Sequence, residues 1–278
     1  MIPEFIIGFR ESLEAALIAG IILSYLAKTG QEKYNRIIYL GIIAGVVASL
    51  AGAFLFAALA GGFQGTAEQL FEGITMLIGA ALLTTMILWM MKQKHVALEL
   101  QHKVSERISQ AQKFGLFFLA FIAILREGIE TVIFLGAAGF VSQDNGFIGA
   151  LAGIALAVVL GYLLFVNSKK INIKKFFKIT SILLVLFAAG LVAHAIHEFE
   201  EAGVLNPIIE HVWDINPAQN SDGSYPLLHE NGAVGSIFKG LLGYNGNPSL
   251  LEVLSYFAYL ILVFALWKNI ERIHKKVI

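Results

Sequence analysis

Two five-residue blocks, Arg10-Glu11-Ser12-Leu13-Glu14 and Arg126-Glu127-Gly128-Ile129-Glu130, each place one guanidinium and two carboxylates inside a long apolar run. A charge in the middle of a membrane helix costs about 2.5–3.5 kcal/mol even on the lenient insertion scale. A chain that bears three of them, twice, has a use for them. At about 100° per residue, Glu11 lies near 100° and Glu14 near 40° from Arg10, so the charged groups share one arc while Ser12 and Leu13 point away. Arg126, Glu127 and Glu130 repeat the arrangement. The Arg and Glu at i, i+4 are in contact range, and arginine keeps its charge. Each block therefore holds one carboxylate charge unmatched. Facing each other, the blocks supply four carboxylates and two guanidiniums, a set suited to a hard multivalent cation held by oxygen.

The elements that must carry these blocks are membrane helices. The chain is 57% hydrophobic and only 14% charged, against about 25% charged in a soluble domain. Seven runs reach the roughly 20 residues that a bilayer core demands, at about 4–27, 36–60, 70–91, 114–140, 146–166, 176–197 and 250–268. The expected fold is an all-α membrane protein, a single polytopic domain over 1–278. All but three of the 20 Lys and Arg lie after spans 1, 3, 5 and 7. The exceptions are Arg10, Arg126 and Lys239. Alternate loops are thus basic, and the positive-inside rule puts them in the cytoplasm, with the N-terminus outside and the C-terminus inside. The start, MIPEFIIGFRESLEA, has no basic leader region, so it reads as the first span rather than a cleaved signal. Net charge is zero, which gives no bulk attraction to nucleic acid. Cysteine is absent, which removes thiolate ligands.

The opposite loops are acidic. Glu68 and Asp144 mark two of them, and the long connection 198–249 holds seven acids against Lys239. A negative face concentrates cations. Pro, Gly and Asn punctuate that connection, which is expected to fold as an outer cap with a short helix near 233–243. His194, His197, Glu198 and Glu201 recur on one helical side at the outer end of span 6 and form a candidate second metal site. Glu72, one turn after Glu68, is a further candidate there, although a helix N-terminus favours Glu for its dipole alone. Trp89, Trp267, Tyr25 and Tyr244 read as interfacial anchors.

The blocks are 116 residues apart, and small-residue stripes repeat at 108: Gly41, Gly45, Ser49 in span 2 and Gly149, Gly153, Ala157, Gly161 in span 5. Such stripes are close-packing faces. Repeat 1 then covers about 4–91 and repeat 2 about 114–197, each with three spans and therefore inverted, with span 7 outside the pair. Inverted repeats place a transported ion near the midplane. At 1.5 Å per residue, Glu14 lies roughly 16 Å below Pro3 and Glu130 roughly 15 Å below Phe140, halfway into a core of about 30 Å.

Taken together, RESLE and REGIE in the first and fourth of seven spans resemble the oxidase-linked high-affinity iron permeases, whose signature is Arg-Glu-x-x-Glu in those two spans. The resemblance continues at His197-Glu198-Phe199-Glu200-Glu201-Ala202-Gly203, at Leu242-Gly243-Tyr244 and at Pro248-Ser249. It implies iron binding at Glu11, Glu14, Glu127 and Glu130, with Arg10 and Arg126 as charge partners. It implies an iron permease of the cell membrane, iron as cargo with no cofactor, and a ferroxidase or iron-delivery protein as an outside partner. The expected cargo is Fe(III). An inside-negative potential favours its inward passage by about 7 kcal/mol per 100 mV, and no nucleotide-binding loop is present. The alternatives are Fe(II), Mn(II) or Pb(II), and, in another class, an intramembrane metalloenzyme, which the absence of HExxH disfavours.

Overall fold

The computed structural model describes residues 2–92, 96–109, 113–142, 146–167, 173–220, 222, 224–232 and 234–276. Asp144 and the basic residues Lys94, Lys169 and Lys170 lie outside them.

Long apolar runs leave the backbone no water to bond with, so they close their hydrogen bonds internally as helices. The described residues form α1 (Ile2–Lys28), α2 (Asn35–Ala60), α3 (Thr66–Lys92), α4 (Val96–Ser109), α5 (Lys113–Ser142), α6 (Phe147–Asn167), α7 (Ile173–Glu201), α8 (Gly235–Leu242) and α9 (Leu250–Lys276), with no strand among them. Four segments, Glu32–Ala60, Thr66–Met90, Ile179–Glu201 and Leu250–Ile270, are long and apolar enough to cross a membrane, and Phe147–Leu163 is a shorter apolar one. α1 and α5, with 27 and 30 residues, are as long but carry the charged blocks at mid-helix. The two remaining helices are of another kind. α4 is amphipathic and joins α3 to α5, and α8 is a two-turn helix inside the long connection.

Packing follows a pattern of exchange. α1 lies along α6 and α2 along α5, while α3 pairs with α7 and α1 with α5. Small residues make the close approaches possible, as van der Waals contact must do where lipid is as apolar as leucine. The only buried residues of α2 are Ile38, Gly41, Gly45 and Ser49. A Cβ at Gly45 would press on Phe121 and Ile124 of α5, and one at Gly153 of α6 would press on Phe5 and Phe9 of α1. These contacts keep the spacings of the sequence, since Gly153 follows Gly45 by 108 and Phe121 follows Phe5 by 116. The rest of α2 exposes Ile43, Val47, Leu50 and Phe54, a surface suited to lipid.

One core joins Met76, Leu83 and Ile87 of α3 with Phe134, Phe187, Leu191 and Tyr259. A second, at the α4 end of the bundle, joins Ile22, Leu26, Ile38, Val104 and Leu116. At the opposite end α8 packs against α7, α5 and α1. Gly243 ends α8 with φ 69°, the left-handed conformation that glycine takes without penalty, and its Cα rests directly on Gly190 of α7. A cap at this position needs glycine at both places, because the two backbones touch.

Candidate metal-ion site

The two charged blocks meet inside the bundle. Ligand oxygens of Glu11, Glu14 and Glu127 all lie within 4.8 Å of one another, although the first two belong to α1 and the third to α5. Glu130 is outside this trio but remains a charged neighbour of Glu11 and Glu14. Both oxygens of Glu11, and one each of Glu14, Glu127 and Glu130, are buried with no hydrogen-bond donor among the described residues. Burying carboxylates without donors costs several kcal/mol per ion. A cluster of such oxygens has room for the positive charge that a cation supplies.

The guanidiniums compensate part of the charge. Arg10 reaches Glu14 at 3.1 Å and Glu11 at 3.5 Å. Arg126 bonds Glu127 through Nη2 and approaches Glu130 at 3.4 Å through Nε. The i, i+4 pairs expected from helical spacing are therefore present in both blocks. With all six groups ionised, four carboxylates and two guanidiniums leave a net charge of minus two, which matches one dication.

Two cavities approach from different sides. One, of about 640 Å³, is lined by Glu4, Glu11, Ser12, Ser49, Glu127 and Thr131 among apolar residues of α2, α5 and α6. Ser12 and Gly128, which the helical wheel sets apart from the charges, both line it. Gly128 leaves the room that Ser49 of α2 occupies, and a Cβ there would meet Ser49 Oγ. The other cavity, of about 570 Å³, is lined by Arg126 and Trp89 with Lys103 and Arg107 of α4. Glu11 and Glu127 face the first cavity and Arg126 faces the second.

The second candidate set is divided by the fold. His194 is buried, with Nδ1 3.0 Å from the Gly190 carbonyl one turn back. His197 sets Nδ1 3.1 Å from Glu252 and Nε2 3.3 Å from Glu201. Glu198 has Glu72 of α3 as its leading charged neighbour, with Glu201, His197 and Glu68 after it. Gln69 of α3 donates to Glu201 at 3.1 Å. His197, Glu200 and Glu252 bring ligand atoms within 4.8 Å of one another. Glu252 was not anticipated. The residues Ser249-Leu-Leu-Glu252 are a capping box, and they close it: Ser249 N–H donates to Glu252 Oε1 at 3.1 Å and Glu252 N–H to Ser249 Oγ at 3.2 Å. Asn245 also donates to Glu252 Oε2 at 2.7 Å.

Three further residues at the central site carry no sequence signal. Arg10 Nη2 donates to Met86 Sδ at 2.8 Å and Met90 Sδ at 3.1 Å. Arg126 stands 5.5 Å over the Trp89 ring. Trp89, read from sequence as an interfacial anchor, is thus a partner of the charged block. Methionine and tryptophan near a helix end look like ordinary apolar residues, and only the approach of α3 to both blocks gives them this role.

The model of the iron permease FTR1 family matches residues 1–274 of this chain. Among curated proteins, the ferrous iron permease EfeU of Escherichia coli O6:K15:H31 is 36% identical over 267 residues, covering 94% of this chain and 93% of the relative. EfeU of Shigella sonnei gives the same figures. EfeU of Yersinia pestis is 34% identical over 267 residues, covering 94% and 91%. No solved structure matches.

Proposed function

This chain belongs to the iron permease FTR1 family, and from that premise we propose that it carries iron inward across the cell membrane as Fe(II). Family and relatives are permeases, not enzymes, which sets aside the metalloenzyme alternative. The ferric cargo expected from sequence gives way to the ferrous one on two grounds. The relatives are named ferrous iron permeases, and the six charged groups leave two negative charges for the ion to neutralise.

The observation that carries this reading is the convergence of Glu11 and Glu14 of α1 with Glu127 of α5. In it, these three and Glu130 hand the ion along, and Arg10 and Arg126 offset the mutual repulsion of the carboxylates when the site is empty. Seven spans, an outside N-terminus and an inside C-terminus make the α8 end the outer face. Inverted repeats α1–α3 and α5–α7 are supported by the packing, because exchanging them turns the α1–α6 pair into α5–α2 and leaves α3–α7 and α1–α5 unchanged. His197, Glu198, Glu201 and Glu72 then stand at the outer mouth as a first station, while His194 is committed to Gly190. A dication gains about 5 kcal/mol per 100 mV of inside-negative potential. A ferrous cargo needs no oxidase at the outer face, so the ferroxidase partner implied by the resemblance has no place in this reading.

Proteoliposomes holding the purified chain test it. Radiolabelled iron kept reduced with ascorbate should enter faster than iron supplied as ferric citrate, and Glu127→Gln should abolish entry while the protein remains folded. Faster ferric entry would return the cargo to Fe(III). Wild-type entry in Glu127→Gln would remove the carboxylates from the path.

A further inference from the structure

Both guanidiniums of the carboxylate cluster rest on a single stretch of α3. Arg10 donates to Met86 and Met90 at 2.8 and 3.1 Å, and Arg126 lies over Trp89 at 5.5 Å. Positions 86, 89 and 90 stand at i, i+3 and i+4, so they share one face of the helix. The main packing partners of α3 are α7, α5 and α9. Its approach to the block of α1 is made through these side chains.

The chemistry of the three residues is unlike that of the groups they touch. A thioether is a weak acceptor, and an indole face attracts a cation through its quadrupole. Neither competes with a carboxylate for a guanidinium. Each can stabilise a guanidinium that a carboxylate has let go. A cation bound among Glu11, Glu14 and Glu127 competes with Arg10 and Arg126 for those carboxylates and displaces the guanidiniums in part. Arg10, fully buried, then needs a place among apolar neighbours, and Arg126 has the Trp89 face beside its half-exposed cavity.

Resting on the reading of these glutamates as the ion site, we propose that Met86, Trp89 and Met90 form a seat that receives both guanidiniums when a cation displaces them, and so sets the affinity of the site. The three are positioning residues that act through Arg10 and Arg126. Without the seat, the guanidiniums fall back on the carboxylates and compete with the ion. The loss appears in KM, because the seat is needed whenever an ion is held, and not in the passage itself.

Initial rates of Fe(II) uptake against concentration, in proteoliposomes of the full chain, test this for Trp89→Leu, Trp89→Phe and Met86→Leu/Met90→Leu, with Glu127→Gln as control. Trp89→Leu should raise KM about tenfold, the scale of a cation–π contact, and the double methionine variant, which removes two weak acceptors from Arg10, should raise it about threefold, each with kcat within about twofold of wild type. Trp89→Phe keeps an aromatic face and should restore most of the affinity. A KM unchanged in Trp89→Leu and in the double variant overturns the proposal, as does an equal loss in Trp89→Leu and Trp89→Phe, which would mark plain packing. If Trp89→Leu yields no folded protein, the methionine pair decides alone. Uptake by Glu127→Gln at the wild-type rate would instead overturn the ion site itself, whatever the seat variants show.

Discussion

The block of α1 and the block of α5 share a sequence pattern and differ in what surrounds it. Their acidic ends match: Glu11 is 1% exposed and Glu127 2%. Their basic ends do not. The Arg10 side chain is fully buried against two methionines, whereas 46% of the Arg126 side chain is exposed, in a cavity that it shares with Lys103 and Arg107. The shared pattern thus reproduces the ligands, because oxygens of Glu11, Glu14 and Glu127 converge where the two blocks meet. The charge partners reach toward α3 and α4, which approach the two blocks differently.

The largest effect tests the half of the comparison that is equal. Glu11→Gln and Glu127→Gln should each lower iron uptake more than about 100-fold, near 3 kcal/mol of lost stabilisation. If one of them transports normally, the blocks do not share an ion. The next separates the unequal half. Arg10→Ala strands two buried carboxylates and should cost about 3–5 kcal/mol of stability. Arg126→Ala should cost less, since water already screens a half-exposed guanidinium. Melting temperatures in one detergent decide, and equal losses would erase the distinction.

A smaller effect comes from making the blocks more alike. Gly128→Ser gives the second block the residue of the first, but its side chain meets Ser49 Oγ. Overpacking of this kind costs about 1–3 kcal/mol, and adding Ser49→Gly should recover it. No recovery would mean that Gly128 is needed for another reason.

The smallest lies in the cap around α8, away from both blocks, and serves as a reference. Burial pushes Glu230 up, but Lys239, the Gly246 N–H and Asn216 outweigh it and hold its carboxyl below the ordinary range. Its contribution is complete above the ordinary glutamate value of about 4.3 and is lost as pH falls through the lower folded value. Emission of Trp213, whose Nε1 donates to Asn245 at 3.3 Å, should shift in that acid window. Glu230→Gln should abolish the step, and a step that persists would assign it to another acid.

Much of the fold was legible in the sequence because a bilayer imposes length and charge rules that few other folds obey. The seven apolar runs became α1, α2, α3, α5, α6, α7 and α9, and the short helix expected near 233–243 is α8. The stripe of Gly41, Gly45 and Ser49 was legible as a close-packing face, but its partner, α5, was not, because a stripe of small residues does not say which helix fills it. The glutamates were legible because charge is costly where they stand. Met86 and Met90 were hidden because apolar residues in an apolar helix stand out from nothing, and Trp89 stood out only as an interfacial anchor, since its approach to Arg126 depends on how α3 packs. The division of His194 from His197 was hidden for a different reason: a helical wheel gives direction but not the neighbour that waits there, and Gly190 and Glu252 settle the matter.

Crystals soaked with Fe(II) under reducing conditions, measured for anomalous scattering at the iron edge, test the shared site most directly. One peak in contact with oxygens of Glu11, Glu14 and Glu127 together is the predicted result. Separate peaks on α1 and α5, or density only at His197, Glu200 and Glu252, would show that the two blocks do not hold a common ion.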